Sequence, residues 1–134
     1  MTRFPRIALL AATVSCLTAQ AIAQDGTDFV YDVAFFERVT VGEVEITPFG
    51  IIEDSRCLDY RLCFRGNELV IAAVLHQGNR VREVPLRLGV LTPVPGGALR
   101  LTDSGTAPAR NGATPLHRYS LDIEFIPLRV DTGS

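Results

Sequence analysis

The chain has no tryptophan and no lysine; all 13 basic residues among its 134 are arginine. Histidine occurs twice and methionine once, so a centre built on imidazole or thioether ligands has little to draw on. No run of five or more charges of one sign occurs and the formal charge is only −2, which removes the electrostatic basis for nucleic-acid binding. Charged residues make up 21% and hydrophobic residues 47%, a balance that excludes a disordered chain. Helical 3-4 spacing sustained over several turns is absent, and with it the material for a helix bundle or for crossover helices between parallel strands. What remains is a chain with eleven Gly and eight Pro, suited to many turns.

Met1 to Ala23 has the layout of a secretory signal peptide: Arg3 and Arg6, then apolar Ile7 to Leu17, then Ala21-Ile22-Ala23 with small residues at a cleavage site. Its apolar run is about a dozen residues, against the roughly 20 of a membrane-spanning helix, and no later segment is longer. The expectation is a protein starting at Gln24, periplasmic or secreted, with no transmembrane segment and a single β-rich domain over 24–134. Thr13-Val14-Ser15-Cys16 offers an alternative, lipid anchoring through Cys16.

From Phe29 onward apolar residues recur at every second position, the period of a strand with one buried face. Tyr119, Leu121, Ile123 and Phe125 share one face; Phe29, Tyr31, Val33 and Phe35 share another, as do Val84, Leu86, Leu88 and Val90. Leu69 to Leu75 is apolar on both faces, which predicts a central strand. Gln77-Gly78-Asn79-Arg80 reads as a hairpin, with Gly78 and Asn79 supplying positive φ. The pattern predicts an all-β fold, an antiparallel β-sandwich or small barrel of about seven strands. Thr92 to Gly97 reads as a stiff turn, and Asp103 to Leu116 as a long loop of small residues that is either mobile or functional.

Past the signal segment two cysteines remain, Cys57 and Cys63, and in an exported protein a disulfide is their default state. Such a ring of about seven residues would constrain the unfolded chain by roughly 2.4 kcal/mol and fix the turn before the central strand. Asp54, Arg56, Asp59, Arg61 and Arg65 surround it, either as a self-neutralising turn or as a recognition loop whose Arg56 and Arg61 present planar donors to a carboxylate. The run Asp54-Ser55-Arg56-Cys57, then five residues, Cys63 and Gly66, resembles bacterial exported proteins of unknown function that carry an Asp-Ser-Arg-Cys-Pro loop, with Leu58 here in place of the Pro. The resemblance implies an extracytoplasmic β-rich domain and no particular chemistry.

Neither His76 nor His117 sits in a nucleophile-elbow or metalloprotease motif, and the adjacent carboxylates Glu53 and Asp54 point to opposite faces of an extended segment. No catalytic residue, metal ligand set or cofactor is expected. The expected function is non-catalytic binding of a protein or envelope partner through the disulfide-pinned loop. Alternatives are a secreted inhibitor of a hydrolase such as a protease or lysozyme and, third, a small enzyme or thiol-redox protein.

Overall fold

A computed structural model describes residues 28–57, 67–108 and 113–129. Eight strands, β1 (Phe29–Val33), β2 (Val39–Val41), β3 (Val44–Asp54), β4 (Leu69–Gln77), β5 (Arg80–Arg87), β6 (Leu91–Val94), β7 (Gly97–Asp103) and β8 (Leu121–Pro127), form two four-stranded sheets. One sheet has the order β1-β8-β7-β6, the other β2-β3-β4-β5, and every strand pair is antiparallel. The chain changes sheets after β5, where an isolated bridge joins Leu88 to Leu101 and the Leu88 N–H donates to Leu69 O at 2.9 Å. The fold is an all-β sandwich; the sheets do not close into a barrel.

The period-2 pattern builds the core. Ile46, Leu69, Ile71, Leu75 and Leu86 from one sheet meet Leu99, Leu101, Leu121 and Ile123 from the other, all with no solvent exposure. At about 1.5–3 kcal/mol for each buried aliphatic side chain, these residues drive the two sheets together. Leu69–Gln77 lies between β3 and β5, and its second face is also covered at Val70, as expected of a strand apolar on both sides. Gly42, at φ +57°, turns the chain from β2 into β3 directly beneath the Phe125 ring, where any Cβ would overlap the aromatic carbons.

Four sequence expectations are corrected. Leu91–Val94 is a strand, since Pro93 and Pro95 stiffen a hairpin whose β6 arm lies at a sheet edge, where a missing N–H costs no ladder bond. Phe29 and Tyr31 stack on each other at 4.5 Å, Tyr31 stays 67% exposed, and only Val33 and Phe35 reach the core. The cause is a register shift between Val30 and Val33, with Asp32 at φ +56°, which reverses the alternation. In the β4–β5 hairpin Gly78 alone takes positive φ; Asn79 does not. Val90 lies beyond the end of β5 and is 47% exposed. The signal segment, with Cys16, falls outside the described residues.

Candidate functional site

β3 and β2 are unequal partners. Leu-free β2 spans three residues and pairs only with Val44, Glu45 and Ile46, whereas β3 runs for eleven. One further bond, the Phe36 N–H to Pro48 O at 2.7 Å, covers the next position before the chain turns away to the other sheet. The turn is made by Phe36 itself, held at φ +70° with its ring 68% exposed. Beyond it, over 49–53, no backbone hydrogen bond from another element reaches the outer edge of β3 among the described residues.

Two bulges shape that edge. The register against β4 shifts between Pro48 and Gly50 and again between Ile51 and Glu53, so the inward positions run Ile46, Pro48, Ile51, Asp54 instead of keeping strict alternation. Ile51 packs against the core, Ile52 turns out to 60% exposure, and Asp54 is carried to the end of the sandwich.

There Asp54 joins a network that ties the two sheets. Arg56 grips its carboxylate with two parallel bonds, Nε to Oδ1 at 2.8 Å and Nη2 to Oδ2 at 2.9 Å. Arg56 Nη1 donates to Ser104 Oγ at 2.7 Å and to Thr106 O at 2.9 Å, and the Tyr119 hydroxyl donates to Asp54 Oδ2 at 2.7 Å. Side-chain exposure is only 12% for Arg56 and 14% for Asp54, while Ser104 is buried and its carbonyl accepts from the Ser120 N–H at 3.0 Å. Tyr119 also meets Phe35 edge-on at 5.6 Å. Burial pushes the Asp54 carboxyl up, but the hydrogen bonds from Arg56 and Tyr119 and the Arg56 charge outweigh it and leave it below its ordinary value. The Asp54 bonds raise Arg56 against the cost of burial, and burial together with the bond to Asp54 raises Tyr119. All three groups hold the protonation state that the network requires.

Above this latch lies a groove of about 530 Å³ between the outer edge of β3 and the chain that leads into β8. Ile51, Ile52 and Glu53 form one wall, and Pro108, Pro115 and Leu116 the other. Leu116 belongs as well to an adjoining, mainly apolar cavity of about 430 Å³ lined by Phe35, Phe36 and His117, whereas the groove beside the latch mixes apolar and polar side chains. Glu53 is exposed on the wall and bonds to no described residue, whereas Asp54 and Arg56 neutralise each other. Among the described residues no group of three or more His, Cys, Asp or Glu is placed to hold a metal ion. His76 shares a hydrogen bond of 3.0 Å with Thr47 on the outer sheet face, and His117 sits in a single-turn 3-10 helix over Leu116–Arg118.

The sequence-predicted loop is only partly within view: Asp54 and Arg56 are brought together, while Asp59, Arg61, Cys63 and Arg65 lie outside the described residues. Arg56 is not the outward donor of a recognition loop, because its guanidinium is spent on Asp54, Ser104 and Thr106. The disulfide-pinned loop is likewise corrected as the organising element. Cys57 is held in a disulfide and so does not titrate as a thiol, but it is the one cysteine among the described residues, and its expected pairing with Cys63 lies outside them. Among the described residues the segment is held by the latch, by the Cys57 N–H to Asn67 Oδ1 bond at 3.0 Å and by the Ser55 N–H to Glu68 O bond at 2.8 Å. Tyr119, Ser104 and Leu116 are site residues that the sequence reading missed. The i, i+2 spacing of Asp54 and Arg56 on an extended segment was the legible signal, since it puts both side chains on one face.

Comparison with protein-family models, with curated proteins and with solved structures finds no match to this chain. The resemblance to exported proteins with an Asp-Ser-Arg-Cys-Pro loop is therefore not upheld, and neither is a function resting on that loop.

Proposed function

We propose that this β-sandwich is a binding module whose groove beside β3 takes an extended peptide segment pairing apolar side chains with a basic one. The observation that carries the reading is the composition of the groove. Apolar side chains of Ile52, Pro115 and Leu116 line it beside the polar latch, its buried charges cancel, and the one uncompensated charge on its described walls is the Glu53 carboxylate. A groove that sets apolar side chains beside a single unpaired charge selects by shape and by sign. Ser104 and Tyr119 are occupied within the latch, and no imidazole lies beside either, which supports binding over catalysis. The Met1 to Ala23 segment supports placing this activity outside the cytoplasm, and an intact mass beginning at Gln24 is the expected result.

Labelled, capped heptapeptides that alternate Val or Leu with Thr and carry Arg, Glu or no charge at the N-terminal end test the reading by anisotropy. The Arg-ended peptide is expected to bind most tightly, with the order reversed by Glu53→Arg and affinity weakened at least tenfold by Ile52→Asp. Equal affinity across the three peptides, or binding indifferent to both substitutions, overturns the proposal. Both positions are exposed, so neither variant endangers the fold.

A further inference from the structure

Resting on the groove reading, we propose that the bound segment enters as an added β-strand on the outer edge of β3 over 49–53, antiparallel to it, in the lane that β2 leaves empty.

The geometry begins with the unequal strands. A sheet whose second strand runs for eleven residues while its edge strand ends after three leaves a row of peptide groups on the longer strand without a neighbour among the described residues. Such groups are satisfied by water or by a strand from another chain, and main-chain pairing with side chains alternating into a pocket is the established logic of strand addition. Here the lane has a defined start. Phe36 donates its N–H to Pro48 O and then, at φ +70°, carries the chain out of the sheet plane, so the lane opens one residue further on at Phe49. It has a defined end as well, because Asp54 is turned into the latch and the Ser55 N–H donates to Glu68 O on the β4 side.

The opposite boundary of the lane is the wall of Pro115 and Leu116, so an occupant has a ladder on one side and an apolar surface on the other. Five residues of extended chain cover about 16 Å, the length of β3 from Phe49 to Glu53. An antiparallel direction continues the pairing of every strand in this sheet. Phe49 and Ile52 are the bulged positions, and each breaks the regular edge. That restricts the ladder to a short segment and disfavours open-ended stacking of copies on the same edge. Glu53 at the closed end supplies the charge complementarity, and in the antiparallel direction it faces the N-terminal end of the segment, which carries the basic residue.

Hydrogen exchange on the full chain, free and with the Arg-ended heptapeptide, tests the inference together with single N-methylation along that peptide. Outward amides over 49–53 should exchange fast in the free protein and slow at least tenfold on peptide addition. N-methylation should cost at least tenfold in affinity at alternate positions and little at those between. Affinity indifferent to N-methylation everywhere, while Ile52→Asp still weakens it, defeats strand addition and leaves groove binding standing. Affinity indifferent to both defeats the two together. Outward amides over 49–53 already protected in the free protein would mean that the chain fills its own lane, and would overturn the inference whatever the peptide does.

Discussion

Asp54 carries two opposing demands. Burial favours its neutral acid, while Arg56 and the Tyr119 hydroxyl favour the carboxylate and prevail. With its folded pKa below the ordinary value of about 4, Asp54 contributes stability that is fully present above that value and is lost as the pH falls through the lowered one. Tyr119 has the opposite sense: its pKa is raised, so its contribution is full below about pH 10 and is lost as the pH climbs through the folded value. Asp54→Asn is expected to cost about 2 kcal/mol at pH 7, the scale of hydrogen bonds to a charged group, with the difference from the parent shrinking toward pH 2. Urea unfolding at a series of pH values checks both the size and the slope; a constant difference would contradict the assignment. Phe36 poses a second residue-scale question, because a bulky side chain at φ +70° costs about 1–2 kcal/mol and its exposed ring regains little of that by burial. Glycine relieves the strain and adds up to about 1 kcal/mol of unfolded-state entropy. Phe36→Gly is therefore expected to be at least as stable as the parent while binding the Arg-ended peptide more weakly, and thermal melts beside anisotropy show whether stability and affinity part in this way.

Among the elements, legibility followed periodicity. Tyr119, Leu121, Ile123 and Phe125 are all buried as their alternation requires, and Leu69 to Leu75 became the inner strand that its two apolar faces predict. The readings failed where the backbone departs from regular pleating. Pro48 and Gly50 within a strand hint at a bulge, but nothing in Pro48-Phe49-Gly50-Ile51-Ile52 announces the second or fixes their places, and these decide that Ile51 packs inward, Ile52 faces out and Asp54 meets Tyr119. The site escaped for a related reason: it joins β3 to residues 65 positions later, and no local pattern encodes such a pairing. The elements also differ in what they contribute. Ile71→Ala, at a fully buried position of β4, is expected to cost about 3–4 kcal/mol through the cavity it leaves. Val81→Ala on β5, where the side chain is 66% exposed, should stay within about 0.5 kcal/mol. Chemical denaturation of the pair measures the contrast.

At the scale of the whole molecule, two sheets share an apolar core that is indifferent to small rotations of one layer on the other, whereas the latch is directional. Arg56 and Asp54 come from the end of β3, Ser104 and Thr106 from the chain after β7, and Tyr119 from the approach to β8, so a single set of bonds fixes the sheets at the groove end. The same bonds hold both groove walls, because Asp54 follows Ile52 and Glu53 directly while Tyr119 follows Pro115 and Leu116. Weakening the latch should then loosen the groove before it unfolds the sandwich, since β4 with its buried faces sits at the high end of local stability and chain segments outside the ladders sit at the low end. In Asp54→Asn, amides at 104–106 and 116–120 are expected to exchange at least tenfold faster than in the parent, with those of Ile71, Ala73 and Leu75 slowed or sped only by the change in global stability. Peptide affinity should fall with the first group and not with the second, because a groove whose walls are no longer fixed charges its ligand the entropy of ordering them. Uniform acceleration across both groups would make the latch a general stabiliser and separate it from the groove.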